Sequence, residues 1–260
     1  MAIVLTTGQL EGWVAQGFFP FARIGACLMV APMFGARFVP ARTRVILAVA
    51  ITALVVPLIP APTIAAFSPQ GFMVVLQQLL IGVALGFALQ VVFDALALAG
   101  QLLANSMGLS FAFNIDPLRG SSTPALGQLY VILATLTFLA LGGHLALIEM
   151  LVAGLHSMPI GVEGLGQQGL WALVLWGGEL FSGAIGIALP GVTALLIVNL
   201  AFGVVSRAAP SLNLFSVGFP VSLIVGMLVI LAGIAPLQAS FSELLAQGFA
   251  FLESLQGLGD

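Results

Sequence analysis

Apolar residues run through this chain in long stretches, without the strict alternation of a half-buried strand and with few of the polar positions that give a soluble helix its wet face. Prolines, glycines and charges divide the sequence into six apolar segments, at about 12–32, 44–59, 72–104, 124–155, 169–201 and 215–236. No charged residue occurs between Arg44 and Asp94, between Arg119 and Glu149, or between Arg207 and Glu243. Each of these gaps exceeds the roughly 20 apolar residues that a helix needs to cross a bilayer. Backbone groups in hydrocarbon must pair within their own segment or in a closed barrel, and the stretches are far longer than the roughly 10-residue alternating strands of a barrel. The predicted fold is therefore all-α: a polytopic membrane protein with six long apolar helices, read as one domain over residues 1–260.

Composition points the same way. Of 260 residues, 61% are hydrophobic and 6% charged, against about 25% charged in soluble domains, and the mean hydropathy is +1.22. The single cysteine, Cys27, lies in an apolar segment and excludes an intrachain disulfide or a thiol metal cluster. Lysine is absent and the six arginines form no basic stripe, so nucleic acid is not an expected partner. No Lys or Arg precedes Arg23, and the first apolar stretch runs past it, so a mature chain beginning at Met1 is expected rather than a cleaved leader. Arg37, Arg42 and Arg44 lie in the first connection, Arg119 in the third and Arg207 in the fifth. By the positive-inside rule the odd-numbered connections face the cytoplasm and both termini face the opposite side. Pro57, Pro60, Pro62 and Pro69 mark a loop, and Pro190 marks a kink in the fifth segment.

Within the third segment, Gly82, Gly86, Gln90, Asp94, Gln101 and Asn105 recur at four- and seven-residue spacings, which keeps them on one face of a helix. Two readings stand. Gly82 and Gly86 permit close helix packing, with amides bonding across helices; or the stripe of Gln90, Asp94, Gln101 and Asn105 faces a water-filled path. Arg23, among Phe18, Phe19, Phe21 and Ile24, poses a similar choice between a buried guanidinium held by carboxylate, carbonyl or water and one that snorkels to an interface. His144, Glu149 and His156 lack metal-ligand spacing, and no nucleotide-binding, zinc-protease or nucleophile-elbow motif appears. No catalytic residue, metal or cofactor is expected.

The most unusual stretch is Asn105-Ser-Met-Gly-Leu-Ser-Phe-Ala-Phe-Asn-Ile-Asp-Pro-Leu-Arg-Gly-Ser-Ser122, too rich in glycine and polar residues for a helix yet carrying Met107, Leu109, Phe111, Phe113 and Ile115. Irregular backbone with large apolar side chains at membrane depth suits either docking on the protein's own helices or lining a cavity or constriction.

Several motifs in order along the chain resemble the FliR-type family of flagellar type III export-gate subunits. They are Ala31-Pro-Met-Phe-Gly-Ala-Arg-Phe-Val-Pro-Ala-Arg-Thr-Arg44, Ile81-Gly-Val-Ala-Leu-Gly-Phe87, Ala99-Gly100, Met107-Gly-Leu-Ser-Phe-Ala112, Asp116-Pro117, Gly143-His144, Ala188-Leu-Pro190, and Ala208-Ala-Pro-Ser-Leu-Asn-Leu-Phe-Ser-Val-Gly-Phe-Pro220. The resemblance implies FliP/FliQ-like helical hairpins within a larger helical assembly in the bacterial inner membrane, much of it projecting to the periplasmic side of the basal body. It implies FliP and FliQ subunits, FlhB-type and FlhA-type components and unfolded export substrates as partners beside membrane lipid. It also implies a plug at about residues 107–121, with Met107, Leu109, Phe111, Phe113 and Ile115 as apolar stoppers. The corresponding subunit of a virulence type III system shares this architecture. A small secondary transporter would show two related halves around a midplane ionisable site, and no such duplication is visible; a membrane enzyme ranks behind it.

Overall fold

The computed structural model describes residues 7–36, 38–62, 64–109, 125–208 and 214–257, and the regular structure among them is helical. In chain order, α1 spans Thr7–Val30, α2 Ala41–Val55 with a 3-10 turn Val56–Leu58 behind it, α3 Pro69–Ser106, α4 Ala125–Ala140, α5 Gly143–Ser157, α6 Gln167–Trp176, α7 Glu179–Ala208 and α8 Leu214–Leu255. Five stretches are long and apolar enough to cross a membrane, α6 and α7 counting together, and α4 with α5 qualifies as a sixth, broken span. The protein is an all-helical, polytopic membrane protein.

Several expected boundaries fall elsewhere. The segment expected at 124–155 is interrupted at Leu141 and Gly142, where Gly142 takes φ 72°, a left-handed conformation that costs an L residue about 1–2 kcal/mol. In the fifth segment the interruption lies at Gly177 and Gly178, while Pro190 sits inside α7 with helix on both sides. The sixth segment does not stop at 236: α8 continues through Pro220 and Pro236 to Leu255, so Glu243 and Glu253 are helical. A proline removes one amide donor, but neighbouring groups can re-satisfy the freed carbonyl of an apolar helix, so continuing the helix wins over ending it. The loop residues between α2 and α3 end where Pro69 occupies the first helical position and Ser68 Oγ accepts the Gly71 N–H at 2.9 Å, an ordinary N-cap arrangement.

The chain packs as two compact units. The first comprises residues 1–91, 139–177 and 246–260. Its core joins Ile24 and Leu28 of α1 to Ala48, Ile51 and Val55 of α2, with Ile59 just past the 3-10 turn and Leu155 of α5. Trp176 stacks on Phe251 with ring centroids 4.6 Å apart and donates its indole N–H to the Ala88 carbonyl at 2.9 Å. From the first turn of α2, Arg44 donates to the carbonyls of Ala36 at 2.6 Å and Val39 at 2.9 Å, tying down the connection from α1.

The second unit comprises residues 92–138 and 178–245. Phe93 meets Phe138 and Phe241 edge-on, each at 5.5 Å between centroids. Gly100 of α3 and Gly127 of α4 bring two backbones together: a Cβ on Gly100 would lie 2.7 Å from the Leu126 carbonyl oxygen, and one on Gly127 3.0 Å from that of Ala97.

Candidate functional site

Arg23 is 1% exposed, and its guanidinium is met within the first unit rather than at an interface. Nε donates to Gln78 Oε1 at 2.6 Å, Nη1 to the Gly154 carbonyl at 2.8 Å and Nη2 to the Met158 carbonyl at 2.9 Å. Gly154 lies in the C-terminal turn of α5 and Met158 is its cap; the Gly154 carbonyl takes the Met158 N–H at 3.0 Å and offers its second lone pair to Arg23, at the end of the helix where the dipole favours a cation. One side chain of α1 thus fastens α3 and α5. Gln256 lies against Gly154, 2% exposed, close enough that a Cβ at Gly154 would meet its Oε1 at 2.7 Å.

Along α3 the environment of the polar and small positions changes. Gly82 and Gly86 are buried where α1 passes: a Cβ at Gly82 would collide with the Arg23 carbonyl oxygen and lie 2.8 Å from the Ala26 Cβ, and one at Gly86 would lie 2.7 Å from the Cys27 carbonyl oxygen. Gln90 is half-buried, whereas Asp94, Gln101 and Asn105 are exposed.

The stretch expected to leave the helix at Asn105 remains helical through Ser106. Gly108 then turns left-handed at φ 78°, the Gly108 N–H donates to the Asn105 carbonyl at 3.0 Å, and the Leu109 N–H donates to the Ala104 carbonyl at 3.0 Å. These paired bonds form a Schellman cap, which satisfies the last carbonyls and aims the chain away from the helix axis. Met107 is 2% exposed and lodged against Gly226 of α8; a Cβ there would lie 2.5 Å from Met107 Cγ. Asn199 of α7 donates to the Ser106 carbonyl at 3.4 Å and accepts the Ser222 hydroxyl of α8 at 3.2 Å. Helices α3, α7 and α8 therefore share one anchorage at the root of the expected plug. Leu109 is half-buried, and Phe111, Phe113 and Ile115 lie outside the described residues.

Sequence reasoning did not single out Gln78, Asn199, Ser222 or Gly226. Asn199 was the most detectable, a lone amide in the uncharged run between Glu179 and Arg207. Among the described residues no three His, Cys, Asp or Glu side chains gather into a set able to hold a metal ion. Among the described residues the arrangement offers close helix packing and an anchorage for the end of α3.

Residues 14–248 match the family described as bacterial export proteins, family 1. The chain is 40% identical over 239 residues, 92% of its length and 91% of the relative's, to the flagellar biosynthetic protein FliR of Escherichia coli (strain K12). It is 39% identical over 241 residues, 93% and 92% of the two chains, to that of Pectobacterium carotovorum subsp. carotovorum. Similarity extends to the flagellar biosynthetic protein FliR of Bacillus subtilis (strain 168), at 27% over 214 residues, 81% and 83% of the two chains.

Proposed function

We propose that this chain, which belongs to family 1 of the bacterial export proteins, is the FliR-type subunit of a flagellar export gate in the cell membrane. Its role is mechanical. With FliP and FliQ it surrounds the path taken by unfolded flagellar proteins, FlhB-type and FlhA-type components act beside it, and the assembly projects toward the periplasm. The segment from Met107 to Ser121 obstructs the path at rest, with Leu109, Phe111, Phe113 and Ile115 supplying apolar bulk and the buried Met107 holding its root, while Gln90, Asp94, Gln101 and Asn105 face the lumen or a sister subunit.

The observation that carries this reading is the anchored root of the segment. A gate must hold one end still while the rest obstructs, and the Schellman cap at Gly108, the seat of Met107 on Gly226 and the bond from Asn199 to Ser106 supply such a fixed end. The exposed polar positions Gln101 and Asn105 one or two turns before that root support a wet or subunit-facing surface there. Deleting part of residues 108–116 in the assembled gate is expected to raise ion leak across the membrane, measured as conductance in reconstituted bilayers; unchanged conductance would overturn the plug assignment.

A further inference from the structure

Within the second unit, a groove of about 380 Å³ is lined by Tyr130 of α4, Gly186 and Pro190 of α7, and Ala232, Pro236 and Ser240 of α8, and it is open on the side where Gly186, Pro190, Ala232 and Pro236 are exposed. Two of these pairs have a common logic. Proline has no N–H, so Pro190 leaves the Gly186 carbonyl, and Pro236 the Ala232 carbonyl, without the donor four residues on that the helix would supply. Both carbonyl-bearing residues line the same space. Tyr130 is 4% exposed, and among the described residues no hydrogen bond reaches its hydroxyl or that of Ser240. The space is open beside the helices too, since a Cβ at Gly186 or at Gly233 would meet nothing within 4 Å.

We propose that this groove is a hydration site, in which a small water cluster donates to the carbonyls of Gly186 and Ala232 and bridges them to the hydroxyls of Tyr130 and Ser240. A lipid acyl chain offers no donor to either carbonyl. Water does, and it needs two to four polar partners together with about 30 Å³ apiece, both of which are present. The hydrated groove explains how α7 and α8 carry interior prolines bordering one space without ending there, and it makes that level of the unit the place where both helices bend with least loss.

The test is radiolytic hydroxyl-radical footprinting of the full chain in its detergent-solubilised assembly, read by mass spectrometry, because water held beside a side chain makes that side chain react despite its burial. After correction for intrinsic reactivity, Tyr130 is expected to label severalfold faster than Phe138, which lies on the same helix and is 0% exposed. Filling the space with Gly186→Ala and Gly233→Ala together is expected to slow Tyr130 severalfold while leaving Phe138 unchanged. Equal rates for Tyr130 and Phe138 in the unaltered protein, as an acyl chain in the groove would produce, overturn the proposal, and this comparison holds even where the double variant fails to assemble. A Tyr130 rate unmoved in a double variant that does assemble overturns it as well.

Discussion

A guanidinium among phenylalanines and alanines is costly at membrane depth unless its nitrogens find acceptors, and Arg23 pairs each of its three nitrogens with a neutral group. Its partners are an amide and two carbonyls at a helix C-terminus, where the backbone has acceptors to spare. Replacing it by leucine leaves Gln78 Oε1 and the Met158 carbonyl unmet, at about 1–3 kcal/mol each, while the Gly154 carbonyl keeps the Met158 N–H. Arg23→Leu is therefore expected to melt well below the unaltered protein in mild detergent, with Arg23→Lys between them because an ammonium lacks the planar fork; melting curves that coincide would show that these bonds hold nothing. Gly108 makes a second residue-scale case. Its left-handed φ means that Gly108→Ala costs about 1–2 kcal/mol, and because the strain falls at the root of the segment proposed to obstruct the path, the variant is also expected to raise resting ion leak. Arg23 was conspicuous in the sequence as a lone charge, but Gln78 and Met158, 55 and 135 residues away, were not legible as its partners: nothing local encodes which helix passes beside it.

At the scale of elements, glycine decides where helices meet. The four-residue spacing of Gly82 and Gly86 is visible in the sequence, yet the approach of α1, close enough to set a backbone carbonyl against each, is a property of packing. Gly82→Ala is expected to destabilise by about 1–3 kcal/mol, the range for overpacking. Gly17→Ala in α1, where a Cβ meets nothing within 4 Å, is expected to be neutral or mildly stabilising through helix propensity; thermal melts of the pair in one detergent compare them directly, and equal losses would refute the packing argument. The same contrast explains the displaced boundaries. The sequence predicts a kink at Pro190 within its segment and an end of the sixth segment at residue 236, whereas Gly142 and Gly177, each one glycine of an adjacent pair, mark where the chain does break and helix continues past Pro236.

The whole molecule leaves much apolar surface uncovered. In the most apolar 18-residue windows, α3 is 50% buried, whereas the α6–α7 stretch is 17% and α8 22% buried. Exposed Phe181, Ile185, Leu189, Leu196 and Leu200 on α7, with Met227, Leu228 and Leu231 on α8, need lipid or other chains against them. Extraction in mild detergent is expected to bring two other small apolar subunits with this chain, and harsher detergent to separate them and lower its melting temperature. A monodisperse, fully stable lone chain under both conditions would sink the assembly reading.

Class, approximate number of spans and the oddity of residues 105–122 were properties of the sequence by itself, because hydropathy is a sum over neighbours and a bilayer demands the same apolar length of any helix. The family resemblance was equally legible, since its motifs are contiguous. What only tertiary structure decided were the partners of Arg23, the anchorage of Met107 and Ser106 by Gly226, Asn199 and Ser222, and the survival of helices through their prolines. Each depends on groups tens of residues apart arriving within a few ångströms of one another, and in a chain where nearly every position is apolar, hydrophobicity alone favours many such arrivals equally. Steric fit at glycines and the need to pair each buried polar group select among them.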